Sequence, residues 1–203
     1  MNTTTYEPTA LESGMVFLWS LLPVILLGVL IGQLIALYRN SLYRRIITDF
    51  FERRYTDLES RAAKLRKKLG PDRRGKMRKK NATAYNNLCH ILASLALFRG
   101  DEDAFFDRIS EVEFEDEYAL RPFTLALYHL SKGEQEVAAE HYYDFNACVQ
   151  QDDAMQTVMD HLFDPEKVEA DDLYSALDQF KNPTTLYLLE KVGLLCDEEE
   201  DDE

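Results

Sequence analysis

The sequence has few of the residues on which covalent and metal chemistry depends. Its three cysteines, Cys89, Cys148 and Cys196, are far apart and form no CxxC pair. This predicts reduced thiols in a cytosolic domain, with no disulfide framework. The four histidines lack the spacing of a zinc-ligand or HExxH motif, and the chain has no P-loop, GxGxxG or GxSxG motif. We therefore expect no catalytic residues, no bound metal and no cofactor.

Lysine and arginine are absent from the first 38 residues, and residues 14–38 carry no charged side chain at all. A helix needs roughly 20 apolar residues to cross a ~30 Å hydrocarbon core, and this segment is longer. A buried helix of a soluble protein would also show a polar stripe, which is missing here. The sequence predicts a single transmembrane helix over residues 14–38. No basic n-region and no Ala-x-Ala site accompany it, which favours a retained anchor over a cleaved signal.

Positive charge begins directly after this helix and predicts its orientation. Within about 16 residues the chain carries Arg39, Arg44, Arg45, Arg53 and Arg54. Because basic residues remain on the cytosolic side, residues 1–13 are predicted to be a short extracytoplasmic segment. Residues 39–203 would then be cytosolic, which makes the chain a single-pass protein of the cell membrane.

The predicted anchor contains a GxxxG motif. Gly28 and Gly32 lie on one face of a helix, where they allow another helix to approach closely, and Gln33 is beside them. We expect a transmembrane helix contact here, either with a second copy, giving a homo-oligomer, or with another protein. The alternative is that these are ordinary glycines of a membrane helix.

The charge distribution after the anchor is strongly uneven. Residues 39–80 hold 16 Lys/Arg against 5 Asp/Glu, whereas residues 81–203 hold 7 against 30. The first region is predicted to be a basic juxtamembrane helix over residues 40–69, followed by a linker that starts at Gly70-Pro71. This helix either continues from the membrane or lies on its surface, with a short heptad-like seam at Leu58, Ala62, Leu65 and Leu69.

The basic region is expected to contact membrane lipids, because each Lys or Arg near an anionic leaflet contributes about 1 kcal/mol. There are two alternatives: the basic region binds RNA, or it binds the chain's own acidic, disordered tail at residues 197–203. Nucleic acid is disfavoured, since no recognition motif surrounds the basic loop. The residues predicted to contact the lipid surface are Arg44, Arg45, Arg53, Arg54, Arg73, Arg74, Lys76, Arg78, Lys79 and Lys80.

Residues 81–196 are predicted to form an α-helical domain, because apolar residues recur at helical spacing and almost nowhere with the period of two that marks strands. Gly100 and Gly133 end the first and third helices, and Pro122, Pro165 and Pro183 stand at helix starts. The predicted helices cover residues 83–99, 101–109, 122–132, 134–148, 154–163, 165–180 and 183–195. The fold class is therefore all-α.

A weak internal repeat relates the segments around the two glycines, which are 33 residues apart. Leu92-Ala93 matches Leu125-Ala126, a large and then a small residue that precede each glycine by eight and seven positions. This pattern over residues 81–150 resembles the tetratricopeptide repeat, and residues 165–195 are a candidate further helix pair. The chain departs from the family pattern at Phe105, where a small residue is expected, and it lacks the closing proline.

The resemblance implies a scaffold that binds a protein or peptide in a concave groove. With its excess of 23 acidic charges, the domain should prefer a basic protein partner. Four aromatic side chains are candidates for protein binding, against the alternative that they belong to the core: Tyr85, Tyr128, Tyr142 and Tyr143. The sequence thus predicts a membrane-anchored scaffold or adaptor, or alternatively an accessory or regulatory subunit that docks into an integral membrane complex through its transmembrane helix.

Overall fold

A computed structural model describes residues 10–71, 77–112, 119–148 and 152–195, and for residues 10–20 and 79–80 it describes the backbone alone. Every regular element in these ranges is helical, which confirms the predicted all-α fold for the described part of the chain. The chain divides into two compact units, Met1–Arg45 and Ile46–Glu203.

The described part of the first unit belongs to the long helix α1, which begins at Ala10 and ends at Phe51, so that the residues of α1 from Ile46 onward belong to the second unit. Pro23 lies inside α1 without ending it. Every side chain from Leu21 to Ile35 is exposed. Within the described residues, α1 is the one helix that is long and apolar enough to cross a membrane.

The second unit contains eight further α-helices in its described part. They are α2 (Leu58–Leu69), α3 (Lys79–Phe98), α4 (Glu102–Ser110), α5 (Leu120–Ser131), α6 (Gln135–Ala147), α7 (Asp153–Phe163), α8 (Ala170–Leu177) and α9 (Pro183–Lys191). A 3-10 turn, Pro165–Lys167, connects α7 to α8. Neighbours in sequence pack against each other, α2 with α3, α3 with α4, α5 with α6 and α7 with α8, and α9 packs on α5.

The single helix expected over residues 40–69 is interrupted by a turn at residues 52–57. Arg53 and Asp57 adopt positive φ angles of 55° and 56° there, a conformation that glycine would normally provide. The carboxylate of Asp49 binds both Arg54, at 3.2 Å, and Arg61, at 2.8 Å, and so links the two sides of the turn. The chain therefore turns at a place where the sequence has neither glycine nor proline.

The residues of the predicted heptad-like seam pack against another helix of the same chain. Leu58, Ala62, Leu65 and Leu69 are all buried, and α2 packs against α3. Ile46 and Phe50, from the last turns of α1, are buried as well. These residues are part of the second unit, Ile46–Glu203, which we call the compact unit.

Two helical hairpins turn at the predicted glycines. Gly100 and Gly133 have φ angles of 73° and 76°. In each turn the next residue donates its backbone N–H to the carbonyl five positions earlier, Asp101 to Ala96 at 3.0 Å and Glu134 to His129 at 2.9 Å. This is the Schellman ending of a helix, in which the left-handed residue is normally glycine because it has no Cβ. Gly193 ends α9 with the same geometry.

The core of the second unit is centred on aromatic side chains. Phe123 of α5 is fully buried, and its ring stacks on Phe180 at a centroid distance of 5.8 Å. The ring centroid of Phe145, on α6, lies 6.1 Å from that of Phe123. Ala93 and Ala126, the small residues of the sequence repeat, are buried in the same core, where their size allows adjacent helices to approach closely.

A buried histidine makes this unit sensitive to acid. His90 of α3 is buried, and its Nε2 has no hydrogen-bond partner in the described structure. Burial lowers the pKa of His90 to about 4, and the positive charge of Arg121 adds to this effect. Because the unfolded chain then binds the proton more readily than the folded one, stability is complete above pH 6.5 and is lost as the pH falls through 6.5 toward 4.

We expect wild-type protein to lose about 2 kcal/mol of unfolding free energy between pH 7 and pH 5 through His90 alone. His90→Leu should remove this part of the pH dependence, since leucine fills a similar volume and does not titrate. Urea unfolding at several pH values measures the difference. An unchanged loss of stability in the His90→Leu variant would contradict the assignment.

Candidate functional site

The predicted contact face of α1 is open. Gly28, Gly32 and Gln33 are exposed, and a Cβ placed on either glycine would meet no atom within 4 Å. Two glycines one turn apart, with an uncovered surface around them, leave room for another helix to approach.

The predicted lipid-contact residues are exposed where their side chains are described. Arg54 forms ion pairs with Asp49, at 3.2 Å, and with Glu52. The other exposed residues of this group form no ion pair with the described part of the chain: Arg44, Arg45, Arg53 and Arg78. The remainder lie outside the described residues or have no described side chain: Arg73, Arg74, Lys76, Lys79 and Lys80.

Of the four tyrosines predicted to bind protein, one is on the surface. Tyr143 is 76% exposed, whereas Tyr128 is 3% exposed and its ring lies 5.1 Å from that of Phe105. Tyr142 stacks on Phe163 at 4.5 Å and is half-buried. Three of the four side chains therefore make contacts inside the domain, which leaves Tyr143 as the accessible member of the set.

The remaining tyrosine of the set, Tyr85, belongs to a polar cluster around Glu111. The carboxylate of Glu111 accepts hydrogen bonds from Arg66, from Arg108 at 3.0 Å and from the Tyr85 hydroxyl at 3.3 Å. Since these residues come from α2, α3 and α4, the cluster holds the three helices together. The thiol of Cys89 is beside it, 3.8 Å from Glu111, and burial raises its pKa, so the thiol is protonated at neutral pH and a poor nucleophile.

Two histidines that are far apart in the sequence, His129 and His141, lie side by side in the structure. The rings of His129 and His141 stack with centroids 5.3 Å apart, and Nδ1 of His129 lies 2.6 Å from Glu134. Burial lowers the pKa of His141, and the neighbouring His129 adds to the effect. No group of three metal-ligating side chains occurs in the described ranges.

The sequence did not point to a polar cavity that lies in the described part of the chain. It has a volume of about 360 Å³ and lies between α7, the 3-10 turn and α8. We call it the α7–α8 groove. Polar side chains from all three elements line it, among them Asp153, Gln156, Asp160, Lys167, Asp172 and Gln179.

Asp160 forms the fixed part of the groove. Its carboxylate accepts hydrogen bonds from the Tyr142 hydroxyl, from Nε2 of Gln156 at 2.9 Å and from Nζ of Lys167 at 3.0 Å. Burial by itself would raise the pKa of Asp160, but the hydrogen bonds from Tyr142, Lys167 and Gln156 outweigh it and hold this pKa below its ordinary value. Asp160 is thus ionised at neutral pH and neutralised by Lys167.

The other acidic groups of the groove have no such partner. Asp153 and Asp172 are exposed and form no ion pair with any described residue. A signal for this site was present in the sequence, since Asp153, Gln156 and Asp160 recur at intervals of three and four and therefore share a helix face. Such a pattern is also typical of a solvent-exposed helix face. It becomes the wall of a groove because α8 packs against α7.

Comparison of the chain with protein-family models, with curated proteins and with solved structures found no match. The class of the protein therefore comes from its own features. The described residues form an all-helical protein with one long apolar helix near the N-terminus, followed by a compact helical unit.

Proposed function

We propose that this protein is a membrane-anchored adaptor that binds a basic protein partner through its acidic helical unit. The observation that carries the proposal is the contrast between the two parts of the chain. Leu21 to Ile35 of α1 expose apolar side chains along their whole length, while the compact unit that follows buries its own apolar residues and exposes acidic ones. An exposed apolar helix of this length is stable in lipid and unfavourable in water.

The proposed orientation follows from charge. The arginines that begin at position 39 favour the cytosolic side, which would leave the short N-terminal segment outside the cell. Arg44, Arg45, Arg53 and Arg78 are free to bind anionic lipid headgroups, because no described carboxylate neutralises them. The acidic charge of the compact unit opposes nucleic acid as a partner.

Two features support recognition of a protein as the role of the compact unit. Helical hairpins with equivalent glycine turns occur at Gly100 and Gly133, which is consistent with a tetratricopeptide-like stack. The unit also carries large exposed aromatic side chains, Tyr143 at 76% and Tyr174 at 71%, of the type that anchors protein interfaces.

Photo-crosslinking in native membranes tests this role. A photoreactive amino acid at position 143 or 174 of the full-length protein should form a covalent adduct with a partner protein, because both side chains are on the surface of the compact unit. The matched position on α1 is Gln33, which is also exposed. Adducts from position 33 only would contradict the adaptor proposal.

A second function is supported by the open face of α1. If another membrane helix packs against Gly28 and Gly32, the chain would be an accessory or regulatory subunit of an integral complex, and the compact unit would have a secondary role. The same crosslinking experiment separates the two functions, since an accessory subunit gives its adduct from position 33.

A further inference from the structure

We infer that copies of this chain associate through the outer face of α2 in one copy and the outer face of α6 in the next. The inference goes beyond the proposed function, because it concerns contact between copies and not recognition of another protein. We call the two surfaces the basic face and the acidic face. The basic face consists of Ser60, Ala63, Lys64, Lys67 and Lys68, and the acidic face consists of Glu136, Ala139, Glu140, Tyr143 and Asp144.

The basic face of α2 has no partner in the described chain. All five of its side chains are exposed, and their spacing places them on the side of α2 opposite the buried residues that pack on α3. The other charged side chains of α2 form ion pairs inside the compact unit, Glu59 with Arg99, Arg61 with Asp49 and Arg66 with Glu111. The three lysines of the basic face form no ion pair with a described residue.

The acidic face of α6 is equally open. Its five side chains are exposed and lie opposite the buried Ala138 and Phe145. Glu136 and Glu140 form no ion pair with a described residue. Tyr143, between them and Asp144 along the helix, is 76% exposed. The outer surface of α6 therefore combines unneutralised carboxylates with a large uncovered aromatic ring.

The two faces match in spacing as well as in charge. Lys64 and Lys68 are four residues apart, as are Glu136 and Glu140, so each pair spans about 6 Å along its helix. A small residue, alanine, stands one position before Lys64 and one before Glu140 and lets the two helices approach closely. The basic face also offers an ammonium group, and the acidic face an exposed tyrosine ring that attracts cations.

The two faces do not meet within one copy. In the compact unit α2 packs against α3 and α6 packs against α5, and the lysines and glutamates of the two faces are not paired with each other. A second copy is therefore the complementary partner that the chain itself supplies. Copies held in one membrane by α1 would meet at a raised effective concentration, which favours a weak electrostatic contact. Because the contact joins two different faces, each pair leaves one face of each kind free for a further copy.

The test measures Förster transfer between donor-labelled and acceptor-labelled copies of the full-length protein in vesicles of neutral phosphatidylcholine. The dye is carried on a non-natural amino acid at position 174, which is 71% exposed and lies outside both faces. Charge reversal in the basic face, Lys64→Glu with Lys68→Glu, should weaken the association at least about tenfold. Reversal in the acidic face, Glu136→Lys with Glu140→Lys, should weaken it to a similar extent.

The decisive measurement mixes these two variants, with the donor on one and the acceptor on the other. Each reversed face then meets a face of opposite charge, so the association should return to within about twofold of wild type. Recovery of this kind requires that both variants are folded. Lys181→Glu with Lys191→Glu is the control, because it makes the same change of net charge at exposed lysines outside the basic face. It should alter the association less than about twofold.

Unchanged transfer in both reversed variants, or no recovery when they are mixed, would overturn the inference. Equal weakening by the control would overturn it too, because repulsion between whole molecules would then be the cause. An effect of the Lys64 and Lys68 substitutions confined to vesicles that contain phosphatidylserine would assign the basic face to lipid and not to a second copy. All of these results are independent of the adaptor proposal, which depends on adducts with another protein.

Discussion

Replacement of Leu27 and Leu30 with arginine should release the protein from membranes. Each arginine near the centre of a transmembrane helix costs about 2.5–3.5 kcal/mol on insertion scales, so the pair costs about 5–7 kcal/mol. The side chains of Leu27 and Leu30 are 57% and 54% exposed, and the substitution therefore removes no packing inside the protein. Any loss of membrane association would therefore come from the contact of α1 with lipid and not from a change in the packing of the protein.

The fraction that remains in the membrane pellet after extraction with alkaline carbonate measures this effect. Wild-type protein should stay in the pellet, and so should the control with Leu27→Ile and Leu30→Ile, which keeps the apolar surface. The double arginine variant should appear in the supernatant. If that variant stayed in the pellet as completely as wild type, α1 would not be the anchor.

Phe123→Ala should destabilise the compact unit by about 3–5 kcal/mol. Phe123 is fully buried, and its ring contacts Phe145 of α6 and Phe180 of the connection between α8 and α9. Truncation to alanine removes these contacts and leaves a cavity that the surrounding helices fill only in part.

Urea unfolding of the full-length protein in a mild non-ionic detergent, followed by far-ultraviolet circular dichroism, gives the change in free energy. Tyr174→Ala is the control, because that side chain is 71% exposed and its loss should change stability by less than about 0.5 kcal/mol. Similar effects of the two substitutions would mean that the core is not organised around Phe123.

Much of the helical architecture was predictable because its signals are local. Periodic apolar residues marked the helices, and Gly100 and Gly133 marked two of their ends, since a left-handed residue after a helix is almost always glycine. Asn182 and Pro183 similarly mark the start of α9, where the Asn182 side chain accepts from the N–H of Thr184 at 2.9 Å.

The turn between α1 and α2 was not predictable in the same way. Arg53 and Asp57 adopt positive φ angles without glycine. Asp49 forms ion pairs with Arg54 and Arg61 across this turn, and helical spacing in the sequence does not indicate them. Apolar residues with helical spacing on both sides of such a turn look like one helix. The spacing within each helix does not show that the helix is interrupted between the two sides.

The candidate site could not be predicted from the sequence for a related reason. Helical spacing shows that Tyr128 and Tyr143 are on helix faces, but the burial of one and the exposure of the other depend on which face meets the neighbouring helices. The α7–α8 groove requires two polar faces to be opposite each other. Asp153 and Asp172 are separated by a 3-10 turn whose direction the sequence does not specify.

We propose that the compact unit recognises the partner and that α1 provides the anchor. Exchange of residues 14–38 for an unrelated apolar helix of the same length, followed by crosslinking in native membranes from position 143 or 174, tests it most directly. The exchanged protein should form the same adduct as wild type. Loss of the adduct, with the exchanged protein still folded and in the membrane, would contradict it and show that recognition depends on α1.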